Sequence, residues 1–70
     1  MRSKHHVNPV SRGGKNSKDN IAFVTSKSHE KYHSLFGNRT PVEILDFLVT
    51  YFWKGNKKYL YQYLERRRYQ

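Results

Sequence analysis

The sequence predicts an α+β fold in one domain: a β-hairpin with a long loop, then a helix, then two further C-terminal helices. Three observations carry that prediction. A turn-rich run over residues 8–19, centred on Gly13-Gly14, separates two short extended segments. Thr40-Pro41-Val42-Glu43 has the residues of a helix N-terminus. Apolar residues then recur at helical spacing through the second half of the chain.

Residues 1–7 read as the first strand, and residues 8–19, rich in Pro, Ser, Gly, Asn and Lys, as the loop. Residues 20–24 (Asn-Ile-Ala-Phe-Val) read as the second strand, with Ile21, Phe23 and Thr25 on one face. Thr25 or Ser26 caps a helix running to Phe36, and Gly37-Asn38 stops it. Thr40 as N-cap, Pro41 at the first helical position and Glu43 at the third make a capping box. The helix behind it is predicted to run to about Trp53. Leu45, Leu48, Val49 and Phe52 form its apolar stripe, with Ile44 and Tyr51 alongside. Gly55-Asn56 breaks the pattern, and a last helix from Lys57 carries Leu60, Tyr63 and Leu64 on one face before Arg66-Arg67-Arg68. The single domain, residues 1–70, thus divides into a histidine-bearing part, residues 1–37, and a helical C-terminal extension, residues 38–70. Tyr51, Phe52, Trp53, Tyr59, Tyr61 and Tyr63 read as core packing between the last two helices and the first part. A homodimer seam is the second reading, because one small chain does not readily bury so many rings.

Seventy residues build only a small core, and chains of this length often rely on a metal, a disulfide or a partner. There is no cysteine, so disulfides and thiolate sites are excluded. A bound metal would be held by nitrogen and oxygen, which favours zinc, nickel, manganese or magnesium. Lys and Arg number 14 against 5 acidic residues, a formal charge of +9. That balance points to polyanions, with nucleic acid first and an anionic membrane surface second. No apolar run reaches transmembrane length and no apolar signal-peptide core is present at the N-terminus, so the expected location is cytoplasmic.

All four histidines lie in the first part. His29 and His33, at i and i+4 on a predicted helix, project from one face about a turn apart, as two ligands of one ion would. Either pair of histidines alone is ordinary on a basic surface. His5 and His6 are neighbours on a strand and point to opposite faces, so one completes a three-histidine site while the other stays free. Three protein ligands and an open position is the pattern of a catalytic site, and a free imidazole is a general base near neutral pH.

The run His5-His6-Val7-Asn8-Pro9-Val10-Ser11-Arg12-Gly13-Gly14, then Asp19-Asn20-Ile21, Val24-Thr25, His29 and His33, closely resembles the HNH nucleases. The nearest pattern is the colicin and pyocin type, which also carries a His-His pair, a Pro, a Gly-Gly, an Asp-Asn-Ile and a His-x-x-x-His. The resemblance covers about residues 4–37. It implies a ββα-metal finger and an endonuclease that hydrolyses or nicks DNA. It assigns His5, His29 and His33 to the metal, with His33 able to bind metal or phosphate. It makes His6 the general base and Asn20 the residue that ties down the long loop. One divalent ion (Zn, Mg, Mn or Ni) would stabilise the phosphorane and the leaving 3′-oxygen, giving a 5′-phosphate and a 3′-hydroxyl.

Two departures bear on the biology. Colicin-type domains have more protein, including an acidic residue, upstream of the His-His pair, where this chain has Met1-Arg2-Ser3-Lys4. The second half is similar instead to the tails of small stand-alone HNH proteins of bacteria and phages. Toxin activity and an immunity partner therefore do not follow. Arg12 is the leading candidate for a phosphate clamp, with Lys4, Lys15 and Lys27 flanking the histidines. Arg66, Arg67 and Arg68 grip a flanking duplex or simply favour the helix C-terminus. The alternative to an enzyme is a non-catalytic basic DNA- or RNA-binding module with a structural metal site.

Overall fold

The structure, a computed structural model, describes residues 1–68, the side chain of Arg68 excepted. Strand β1 (Arg2–His6) pairs antiparallel with β2 (Ile21–Thr25), His5 opposite Ala22 and His6 opposite Ile21. The ladder extends past the last pair through Val7 N–H to Asn20 C=O, 2.8 Å. Two short 3-10 turns, Val10–Arg12 and Lys18–Asn20, organise the loop between the strands. Asn20 belongs to the second turn, so β2 starts one residue later than predicted.

Helix α1 (Ser26–Phe36) starts directly after β2. Thr25 is its cap, its hydroxyl oxygen accepting from Ser28 N–H at 3.1 Å. Gly37 ends it at φ 57°, its N–H bonded to His33 C=O. The helix packs on the hairpin face that carries His5, and Val24 lies with His5, His29 and Tyr32 around a small cleft there. The sheet face expected to be apolar, Ile21, Phe23 and Thr25, is therefore the outer one, and Phe23 is 59% exposed. Strand alternation gives the reason. Once the register sets Ala22 opposite His5, Phe23 must point the other way, beside Lys4.

The capping box forms as predicted at the start of α2 (Pro41–Phe47): Thr40 accepts from Glu43 N–H at 3.3 Å and Glu43 accepts from Thr40 N–H at 2.9 Å. The α-helix then widens into a π-helical turn, Leu48–Phe52, marked by Trp53 N–H to Leu48 C=O at 3.0 Å. Gly55, at φ 73°, closes back on Val49 C=O. The wider turn takes the residues after Phe47 off the α-helical stripe. The buried centre of this part is Ile44 and Val49, whereas Leu45 and Phe52 of the predicted stripe are exposed.

Helix α3 (Lys58–Arg68) begins where Asn56 accepts from Lys58 N–H at 2.9 Å. Its Leu60 is half-buried, but Tyr59, Tyr61, Tyr63 and Leu64 are exposed, as are Tyr51 and Phe52. The aromatic stripe is thus no internal core, contrary to the expectation from spacing. Trp53 is the half-buried member, meeting Tyr59 edge-on with centroids 6.4 Å apart. The finger and the extension are joined elsewhere. Phe36 meets Phe47 edge-on at 6.5 Å, and the Arg12 guanidinium pairs with the Glu43 carboxylate at 2.8 Å.

Candidate metal centre

Strand β1 delivers His5 to the inner face, where it is the one buried polar side chain among the described residues. Helix α1 delivers His29 and His33 one turn apart. The three rings converge, with centroids 5.2 Å (His5–His29), 5.6 Å (His5–His33) and 4.7 Å (His29–His33) apart. One ring nitrogen from each lies within 4.8 Å of the other two. The Nε2 atoms of His29 and His33 are 3.0 Å apart. A tetrahedral site with bonds of about 2.0–2.1 Å has an edge of about 3.3 Å, so this pair needs little adjustment to share an ion.

The surroundings favour ligation. The Nδ1 of His33 stands 3.0 Å from the Gly37 carbonyl oxygen and donates to it. That bond fixes the tautomer and turns the lone pair of Nε2 toward His29. The Nδ1 of His5 is buried with no hydrogen-bond partner, an uncommon state for a polar nitrogen. Burial first, and then His29, His33 and His6, hold the His5 imidazole below its usual range. Its neutral form, the one that can ligate, is thereby favoured. Convergent imidazoles, an orphaned nitrogen and an all-nitrogen donor set fit a divalent metal ion.

Tyr32 buttresses the centre. Its ring lies edge-on to His5 at 4.5 Å and to Phe36 at 5.3 Å, and burial pushes its phenol pKa up. The sequence reading did not single it out. The available signal was the 29, 32, 33, 36 spacing, a single helix face that also holds two histidines.

His6 lies apart from the three converging rings. With Lys4, Pro9, Ser11, His29 and His33 it lines a cavity of about 300 Å³. Its Nε2 is 2.6 Å from the Oδ1 of Asn16, a loop residue the sequence reading had also passed over. Asn20 brackets that loop: its Oδ1 accepts from Asn8 N–H at 2.7 Å, and its Nδ2 donates to Asn8 C=O at 3.0 Å and Lys15 C=O at 2.8 Å. Gly14 is required at the same point. A Cβ there would stand 1.7 Å from the Asn8 carbonyl oxygen and 2.9 Å from Asn20 Nδ2.

The basic residues divide. Lys4 lines the cavity, and Lys27 lines a shallow cleft on α1 with Glu30 and Lys31. Lys15 contributes its carbonyl to the Asn20 bracket. Arg12 is engaged by Glu43 and by the Asn38 carbonyl at 3.4 Å. Arg66 and Arg67 are on the exposed last turn of α3, and the side chain of Arg68 lies outside the described residues. Among the described residues no helix is long and apolar enough to cross a membrane.

The HNH endonuclease family model matches residues 2–35. No curated protein and no solved structure matches the chain.

Proposed function

We propose, from the premise that the chain belongs to the HNH endonuclease family through residues 2–35, that it is a metal-dependent endonuclease hydrolysing DNA phosphodiester bonds. The observation that carries this reading is a division of labour among the histidines. Three converge as one ligand set, and the fourth stands outside that set while lining a cavity with two of its members, His29 and His33. A purely structural metal site has no use for that fourth imidazole.

His5, His29 and His33 would hold one divalent ion (Zn, Ni, Mn or Mg), the imidazole donors suiting the first two best. Such an ion would supply Lewis-acid stabilisation of charge on the phosphate and on the leaving 3′-oxygen. His6 takes the proton of the attacking water, for which a neutral imidazole is suited near pH 7. Asn20 keeps the loop, and with it the cavity wall, in one place. Lys4, on the cavity wall, offers a cation to the bound phosphate. Lys15, Lys27 and the Arg66-Arg67-Arg68 end of α3 are proposed as contacts to the flanking backbone, adding affinity without sequence choice. Arg12 is first a brace between loop and extension, and can reach a phosphate only by exchanging Glu43 for it. The products are a 5′-phosphate and a 3′-hydroxyl. We also read the exposed rings of the extension as the seam of a homodimer.

The test is incubation of supercoiled plasmid with the protein and Mg²⁺, Mn²⁺, Ni²⁺ or Zn²⁺. Nicked or linear DNA is expected. His6→Ala should abolish cleavage and leave metal affinity nearly intact, whereas His29→Ala should weaken both. Plasmid that stays supercoiled with all four metals, while binding remains salt-sensitive, supports the non-catalytic module instead.

A further inference from the structure

The contact between His6 and Asn16 joins the proposed base to a loop residue that no other feature of the site explains. We infer that Asn16 is a positioning residue for His6: it selects the ring tautomer and holds the imidazole in its working orientation. The inference rests on His6 being the general base.

The geometry is specific. The Asn16 Oδ1 lies 2.6 Å from His6 Nε2, at the short end of N–H···O hydrogen bonds. An amide oxygen can only accept, so Nε2 carries the hydrogen. In the neutral ring the lone pair then sits on Nδ1, which becomes the atom that takes the proton from water. Without such an acceptor the two tautomers interconvert freely, and part of the population offers an N–H where a base is needed.

The loop holds Asn16 between two anchors. On one side, Lys15 C=O accepts from Asn20 Nδ2 at 2.8 Å and Gly14 N–H donates to Pro9 C=O at 2.9 Å. On the other, Ser17 C=O accepts from Asn20 N–H at 2.9 Å. Asn20 therefore acts on His6 through Asn16, fixing the backbone to either side of the residue that touches the ring. The neutral amide also suits the site. A carboxylate would orient the ring equally well but would set a negative charge beside an incoming phosphate.

The experiment reads the His6 ring directly, by long-range ¹H–¹⁵N correlation NMR on the zinc-loaded protein above the imidazole pKa, with His6→Ala assigning the signals. Wild type is expected to show one tautomer, protonated at Nε2. Asn16→Ala should show a mixture, with kcat for plasmid nicking down about tenfold to a hundredfold, part of what a general base contributes. KM and zinc affinity should change less than about twofold. Asn16→Asp keeps an acceptor, so it should restore the single tautomer while raising KM for DNA. A wild-type ring protonated at Nδ1, or an Asn16→Ala protein with an unchanged tautomer and unchanged kcat, overturns the inference. The two readings fail separately. An inactive wild type removes the nuclease and leaves the ring assignment to the NMR, and an active Asn16→Ala removes only the positioning role.

Discussion

Glu43 shows how much one exposed side chain does here. One carboxylate oxygen caps α2 at Thr40 N–H and the other pairs with Arg12, so a single residue starts a helix and ties it to the finger loop. The Arg12 hydrogen bond, followed by that from Thr40, lowers its pKa from 4.5 to about 2. A carboxyl whose folded pKa lies below its unfolded value adds stability above the unfolded value and loses it as pH falls through the folded one. Thermal melts of wild type and Glu43→Gln should therefore differ by a constant amount above about pH 5 and converge as pH falls toward 2. A gap that does not close in acid would mean that the charge plays no part. The proposed ligand histidines respond to acid in the same direction, but at higher pH. Their nitrogens bind metal only when deprotonated, and His5 is already biased that way by burial. Zinc affinity by calorimetry should fall steeply below pH of about 6.5, and equal affinity at acid and neutral pH would contradict the ligand set. At this scale the sequence was most readable where residue type alone limits the chemistry, as with the four histidines. Asn16 and Tyr32 were not readable, because an asparagine in a polar loop and a tyrosine on a helix gain meaning only from what the fold sets beside them.

The long loop is the element on which the site depends, and its two glycines make a controlled comparison. At Gly14 an added Cβ meets the Asn8 carbonyl, which cannot move without disturbing the hydrogen bond it accepts from Asn20 Nδ2. At Gly13 the space is open and the obstacle is only the left-handed φ of 91°. Gly14→Ala should cost about 1–3 kcal/mol by forcing backbone apart, and Gly13→Ala about 1 kcal/mol. Urea midpoints measure both. The sharper expectation is that Gly14→Ala also loses nicking activity in conditions where it remains folded, because Asn16 and His6 lose their support. Equal behaviour of the two variants would show that the loop tolerates displacement. Element by element, the sequence was legible where the signal is local. The Thr25 cap, the Gly37 stop and the Thr40–Glu43 box all stand where their residues predict. The apolar face of β2 was misread because it depends on pairing with a strand 15 or more residues away in the chain, as His5 pairs with Ala22. The π-helical turn was missed because its residues differ little from those of an ordinary helix.

For the whole molecule the informative quantity is its spread. The radius of gyration is 13.7 Å, against about 11 Å for a compact chain of this length. The excess goes with a C-terminal extension that leaves Tyr51, Phe52, Tyr61 and Tyr63 exposed. Burying such rings releases on the order of 25 cal/mol per Å² of apolar surface, so a second copy laid against them has a clear driving force. Each copy also carries a formal charge of +9, which opposes that association. The two proposed partners therefore respond to salt with opposite signs. Salt screens the repulsion between copies and strengthens the dimer, whereas it weakens DNA binding by removing the gain from counterion release. Light scattering after gel filtration should give twice 8.5 kDa, with the dimer fraction rising as NaCl is raised. DNA affinity should fall over the same series. Tyr61→Lys, on the exposed face of α3, should return the protein to 8.5 kDa and leave zinc binding by the finger unchanged. A wild type that stays at 8.5 kDa across the salt series would refute the seam and leave the exposed rings to the DNA.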